Sequence, residues 1–311
     1  MKCIKWMILV CLIAAVAVVG ACQEKFVRAA AGSQQVTSRE FKLLLKPGTF
    51  ADRNIGYQDV WGNIMSVANE MGATVIQASN PFQEEEGQVI YLDTQDHALY
   101  KQNYILRKRI PYESKDPISH CELMLKYRSN DLNLATAASV ISSPGFKAKE
   151  KIEEDVNMDG NLIGSLKGVF SHSNSIKKAQ TPVEDSVADY AVIFPSLKNV
   201  STDSWALLLP VNNVVVHEYN ISPGSLEFNS GLIGKVDISI WYSADDNSPV
   251  IGEISFSYSL KNASSESVAM SESFFKELQR KLESKMVPGM TKTEFVYSSI
   301  AKKDKLDYNQ K

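Results

Sequence analysis

Cysteine and histidine are scarce in this chain. Cys3, Cys11, Cys22 and Cys121 are the four cysteines in 311 residues, and His97, His120, His172 and His217 are the four histidines. Neither set has the close spacing of a metal-binding cluster, which excludes a Cys/His-ligated metal. An excess of positive charge is missing as well. The chain carries 33 basic and 36 acidic side chains, a net charge of −3. That balance argues against nucleic acid as a bulk partner, and the short basic runs at Arg107–Arg109 and Lys302–Lys305 are too small to change it. No Gly-rich phosphate loop, nucleophile elbow or helical HExxH occurs, so those phosphate-binding and hydrolytic designs are excluded. A membrane-spanning helix is not expected either. The one long apolar run, Trp6 to Val19, is short and lacks a polar anchor behind it.

That run is better read as part of a targeting segment. Lys2 and Lys5 precede it and small residues follow, the pattern of a secretory signal peptide over residues 1–21. Its end, Val19-Gly20-Ala21-Cys22, resembles the bacterial lipobox, in which the cysteine is lipidated and becomes the mature N-terminus. The expectation is a protein of the bacterial cell envelope, extracytoplasmic, held to a membrane by lipid on Cys22 and tethered through residues 22–37. The alternative is ordinary cleavage after Ala21, with Cys22 a plain thiol. Cleavage removes Cys3 and Cys11 and lipid occupies Cys22, so Cys121 stands alone and no internal disulfide can form. Without residues 1–21 the net charge is −5.

From Ser38 onward the dominant signal is two-residue alternation. In a strand, residues two apart share a face. Phe41, Leu43 and Leu45 oppose Glu40 and Lys42; Leu123, Leu125 and Tyr127 oppose Lys126 and Arg128. Ile254, Phe256, Tyr258 and Leu260 oppose Glu253, Ser255, Ser257 and Ser259, the cleanest case. Further strands are expected at 73–77, 149–155, 214–219, 235–242 and 291–297. Helical spacing marks 54–71, closed by Gly72, and 265–285, ended by Pro288-Gly289. Residues 156–212 read poorly, with helices expected at 161–170 and 183–193, the second ending before Pro195, and a turn over 171–175. A loop is expected at 129–146.

The stretch Tyr91–Arg109, YLDTQDHALYKQNYILRKR, is the most informative. It reads as strand, polar turn, one helical turn, and a second strand ending in Arg107 and Arg109 on one face. Arginine suits phosphate because its planar fork donates two parallel hydrogen bonds and keeps its charge. The residues Tyr91, Asp93, Thr94, Asp96, Leu99, Leu106, Arg107 and Arg109 resemble the central motif of the CYTH family, the triphosphate tunnel metalloenzymes. Other segments are similar to that family in part. Glu40 and Lys42 match the end of its opening ExExK, with Ser38 in place of the first Glu. Lys126 matches the lysine of a T-x-K hairpin. Lys151 and Glu153, with Asp155 on the same face, stand where many members have R-x-E. Glu253 matches the first position of a late E-x-E-x-E, whose other two positions are Ser255 and Ser257. Thr291-Lys292 through Tyr297 resembles the late S-K-x-x-x-x-Y segment.

The resemblance implies an α+β fold over residues 38–300: a closed antiparallel β-barrel of about eight strands with helices packed outside, followed by a polar tail at 301–311. A closed barrel can keep its polar faces around a wet lumen while helices cover the apolar outside. By residue type, the family's phosphate ligands would be Lys42, Arg107, Arg109, Lys126, Arg128, Lys151 and Lys292. Its Mg²⁺ or Mn²⁺ ligands would be Glu40, Glu153, Asp155 and Glu253. The basic side is nearly intact, whereas Ser38, Ser255 and Ser257 replace carboxylates on the metal side. Serine is a poor Mg²⁺ ligand beside a carboxylate. The implied function is therefore binding of triphosphate-containing or polyphosphate anions with weak or no hydrolysis. The competing readings are a metal-dependent triphosphatase acting on inorganic or organic triphosphates, and a structural lipoprotein with a hydrated lumen and no ligand. The sequence carries no signal for oligomeric state.

Overall fold

The computed structural model describes residues 36–179, 186–200, 203–229 and 231–298. The signal peptide, Cys22 and the polar tail lie outside the described residues. In chain order the elements are β1 (Ser38–Leu45), a 3-10 turn (Pro47–Phe50), α1 (Arg53–Glu70), β2 (Thr74–Gln77), β3 (Glu85–Asp93) and α2 (Ala98–Lys101). There follow β4 (Tyr104–Glu113), β5 (Asp116–Pro117), β6 (His120–Ser129), α3 (Leu132–Ala137), β7 (Ala148–Asn157), β8 (Lys167–Ala179), α4 (Val187–Ile193) and a second 3-10 turn (Pro195–Asn199). The chain ends in β9 (Leu209–Phe228), β10 (Leu232–Ser243), β11 (Pro249–Ser259), α5 (Ser265–Lys281) and α6 (Lys292–Tyr297).

Nine strands close on themselves in the order β10-β11-β1-β7-β8-β6-β4-β3-β9, with β9 pairing back to β10. The closed barrel expected from the resemblance is present, with helices outside. One pairing departs from the antiparallel pattern: β1 and β7 run parallel, Ser38 opposite Glu153 and Glu40 opposite Asp155. Parallel neighbours need a long crossover, and everything from α1 to α3 intervenes. No sequence signal near either strand announces that pairing.

The outward faces make two apolar layers. In the first, Phe41, Ile254, Phe256 and Ile238 meet α1 and α5 through Val60, Trp61, Ile64, Phe274, Phe275 and Leu278. Phe41 and Phe256 stack with centroids 4.6 Å apart. Here Gly252 is required: a Cβ would lie 2.4 Å from the Phe50 ring. In the second layer, Leu106, Leu123, Leu125 and Ile176 pack under Tyr190, Phe194 and Leu197 of the 187–197 segment.

Several local expectations change. The helix expected at 161–170 and the turn at 171–175 are instead a turn leading into the long strand β8. Both of its faces are polar over 171–175, so no apolar alternation marks it. The helix expected at 183–193 runs from 187 and begins in a Ser186–Asp189 capping box. The loop expected at 129–146 contains α3, capped by Asp131. The strand expected at 291–297 is helix α6, begun by a Thr291–Glu294 capping box.

Candidate functional site

Strand alternation carries the inward residues to one chamber. One end of the lumen is filled by an apolar layer. Leu44, Val89, Tyr91, Ile105, Val216, Trp241 and Ile251, one or more from each of six barrel strands, pack with Val296 of α6. Charged side chains lie next along the same faces. The layer excludes water from one side of them, which strengthens every ion pair and raises the cost of an unpaired charge.

On one wall the centre is Asp155 of β7, only 2 % exposed at its side chain. Its Oδ1 lies 2.7 Å from Lys42 Nζ, and its Oδ2 lies 3.3 Å from Lys126 Nζ and 3.4 Å from Arg128. Burial pushes this carboxyl up, but the three cations outweigh it and hold it well below the ordinary carboxylate range. Lys42 also meets Glu40 at 2.8 Å, and Lys151 meets Glu153 at 2.9 Å. Ser38, which stands in place of a glutamate, donates to Glu153 at 3.1 Å. Arg128 donates to Thr293 at the start of α6, 3.1 Å.

On the opposite wall the centre is a cation. Lys292 Nζ lies 3.2 Å from Glu253, 3.3 Å from Glu218 and 2.6 Å from Ser239 Oγ, and 4.6 Å from the Trp241 ring centroid. Glu218 also accepts from Trp241 Nε1 at 2.9 Å and faces Arg109 at 3.2 Å. Burial pushes Glu218 up, but Lys292 and Arg109 outweigh it and bring it down to about 2. Arg107 lies near Tyr91 and Glu218. Among the described residues it makes no ion pair, and its buried Nε lacks a hydrogen-bond partner.

The remaining motif residues are structural. Asp93 is buried and accepts from the backbone N–H of Thr94, Leu99 and Tyr100, and from the Tyr297 hydroxyl at 2.9 Å. It fixes the turn before β4 and ties α6 to it. Thr94 Oγ1 donates to Asp96 at 2.7 Å, and Leu99 is core.

The structure thus brings Lys42, Arg107, Arg109, Lys126, Arg128, Lys151, Lys292, Glu40, Glu153, Asp155 and Glu253 onto the inward faces. It does not gather the four carboxylates into one metal-binding group. Among the described residues, no three Asp, Glu, His or Cys side chains are placed to share an ion. Sequence reasoning missed Glu218, Ser239 and Trp241 as site residues. Their signal was parity: on β9 the inward face passes from Val216 to Glu218, and on β10 from Asp237 through Ser239 to Trp241.

At the mouth, beyond Arg109, a cleft of about 670 Å³ is lined by Glu84, Glu86, Tyr112, Lys115, Glu122 and Lys177 among others.

No protein-family model matches this chain, and no curated protein matches it. Solved structures do. A Hippeastrum protein with a dominant triphosphatase activity aligns at 14 % identity over 84 % of this chain and 94 % of its own, TM-score 0.34. A candidate adenylate cyclase from Bacillus halodurans aligns at 13 % over 84 % and 100 %, TM-score 0.37. Another from Vibrio parahaemolyticus aligns at 9 % over 83 % and 98 %, TM-score 0.32.

Proposed function

We propose that this protein is an envelope lipoprotein, anchored through Cys22, whose barrel binds triphosphate-containing or polyphosphate anions with weak or no hydrolysis. The observation that carries the reading is the convergence of Lys42, Lys126 and Arg128 on the single carboxylate of Asp155 inside a closed lumen. With Lys151 on the basic side and Glu40 and Glu153 on the acidic side, cations outnumber carboxylates there by one, and Arg107 adds a guanidinium that makes no ion pair among the described residues. A chain of phosphates can supply several acceptor oxygens to such a set. The resemblance to the CYTH family implies a phosphate-binding role for the same residues, Lys42, Lys126, Arg128 and Arg107. Hydrolysis in that family calls on a divalent metal to neutralise phosphate and prepare a water, and the carboxylates here are already engaged by lysine and arginine. The residues present do not fit a metal centre, so no metal step is assigned.

The test pairs binding with turnover on purified protein. Tripolyphosphate binds measurably by calorimetry, and Arg107→Ala weakens it by about 10- to 100-fold, the worth of one charge-assisted contact. Its effect on unfolding free energy stays within about 1 kcal/mol, because it ends no internal ion pair. Phosphate release with Mg²⁺ or Mn²⁺ at ordinary enzyme rates, abolished by Glu253→Ala, would favour the triphosphatase instead. No binding at all, with Arg107→Ala and Arg109→Ala changing nothing, leaves the structural lipoprotein.

A further inference from the structure

The carboxylates that the resemblance assigns to a divalent metal are satisfied by the chain's own cations. The Lys292 site is the most complete case. An ammonium has three N–H donors, and three acceptors surround this one: Glu218 at 3.3 Å, Glu253 at 3.2 Å and Ser239 Oγ at 2.6 Å. The Trp241 face lies at 4.6 Å, within cation–π range. Five elements build this arrangement. Lys292 opens α6, Glu218 is on β9, Ser239 and Trp241 are on β10, Glu253 is on β11, and Arg109 of β4 covers the second Glu218 oxygen at 3.2 Å. The Lys292 side chain is only 11 % exposed. Burial works against its charge, but Glu253 and Glu218 outweigh it and hold its pKa above the usual lysine value. It is therefore charged at neutral pH.

A dication reaching Glu218 and Glu253 would have to displace this ammonium. It would leave a buried lysine without partners, the costly half of a broken ion pair. Mg²⁺ is commonly held by one or two carboxylates with waters completing its octahedron, but here Glu253 is held by Lys292, and Glu218 by Lys292, Arg109 and the Trp241 N–H. Asp155, with its three cations, is no better placed.

We propose that Lys292 is a built-in counter-cation standing in the place of a divalent metal, so that the barrel takes polyphosphate as the free anion rather than as its metal complex. The ligand class rests on the anion-binding reading above; the counter-cation does not. A metal complex of the anion carries less negative charge toward Lys42, Lys126, Arg128 and Arg107. It also brings a hydrated dication for which the chamber has no open carboxylate.

Two measurements test this. The first is Mn²⁺ uptake by the anion-free protein, followed by the electron paramagnetic resonance of free Mn²⁺. Wild type takes up none at micromolar concentrations, whereas Lys292→Met, which frees Glu253 and Ser239 and leaves Glu218 with Arg109 and Trp241 only, gains uptake. Stoichiometric uptake by wild type, or a folded Lys292→Met protein that gains none, overturns the counter-cation. The second is calorimetric titration of wild type with tripolyphosphate, once with EDTA and once with excess Mg²⁺. Affinity is unchanged by EDTA and falls in Mg²⁺, because the metal sequesters the free anion. A loss of more than about tenfold in EDTA overturns the free-anion assignment. If Lys292→Met does not fold, the two wild-type measurements decide. Tripolyphosphate failing to bind under both conditions overturns the anion-binding reading and the free-anion assignment with it, while the Mn²⁺ uptake of wild type still decides the counter-cation.

Discussion

On the wall formed by β1, β7 and β6, one carboxylate faces three cations; on the wall formed by β9, β10 and β11, one ammonium faces two carboxylates. Both arrangements obey the same constraint. A charge taken out of water is tolerated only when paired and hydrogen-bonded. They differ in what is left over. Around Asp155 four cations, Lys42, Lys126, Arg128 and Lys151, meet three carboxylates, Asp155, Glu40 and Glu153, so one positive charge is left over, and the Arg128 Nε lacks a hydrogen-bond partner. Around Lys292 the ammonium and the second oxygen of Glu218 are fully engaged, and the donors left over are on the neighbouring Arg107 and Arg109. On the proposed reading the anion meets the first wall together with Arg107, while Lys292 holds the carboxylates of the second.

The comparison breaks most sharply at Asp155. Asp155→Asn keeps the shape and removes the charge that Lys42, Lys126 and Arg128 share. The expected loss is about 3–5 kcal/mol of unfolding free energy, the usual cost of stranding buried charge. Tripolyphosphate, binding only the folded state, should restore part of it. Denaturant unfolding with and without the anion reads both effects. Glu40→Gln, which touches Lys42 alone at a more exposed position, serves as the control and loses less. If the two variants behave alike, Asp155 is not the hub of that wall.

Acid weakens both walls. Glu218 and Asp155 both have folded-state pKa values below their ordinary ones. Their contribution is thus full above the ordinary carboxylate pKa and is lost as pH falls through the folded value. For Glu218, at about 2, linkage gives roughly 3 kcal/mol, lost progressively between about pH 5 and pH 2. Unfolding free energies measured across that range should decline, and Glu218→Gln should flatten part of the slope. An unchanged slope in the variant would show that Glu218 is not held down by Lys292 and Arg109.

The two walls were unequally legible in the sequence. The cation-rich wall follows in part from alternation: Glu40 and Lys42, and Lys126 and Arg128, oppose apolar neighbours on the same strand, whereas Glu153 and Asp155 flank the charged Glu154 and stand out through the resemblance. The Lys292 wall was hidden for two reasons. Trp241 and Val216 are apolar residues on inward faces, because the lumen has an apolar end, so polarity did not report direction on β9 and did not mark Trp241 on β10, where Lys235, Asp237 and Ser239 share its face. The segment carrying Lys292 looked like a strand, and only the Thr291–Glu294 capping box distinguishes it as a helix. Neither the closure of the barrel nor the parallel β1–β7 pair is a local property. Both depend on which strands meet, and the sequence near each strand does not encode that.

The smallest effect is expected at an exposed pair, where the distinction between walls should vanish. Lys235 of β10 lies 3.0 Å from Asp237, and its side chain is 60 % exposed. In water such a pair gains little Coulomb energy, costs side-chain entropy and is screened by salt. Lys235→Ala should therefore change unfolding free energy by no more than about 0.5 kcal/mol. Any effect on tripolyphosphate affinity should act through long-range attraction, visible at low ionic strength and largely gone near 0.15 M salt, where the screening length is about 8 Å. Affinity and unfolding midpoint measured at both salt concentrations check this. A salt-independent loss at Lys235 comparable with that of Arg107→Ala would mean that the anion is gripped at this exposed position. The chamber between Asp155 and Lys292 would then be a scaffold and not the binding site.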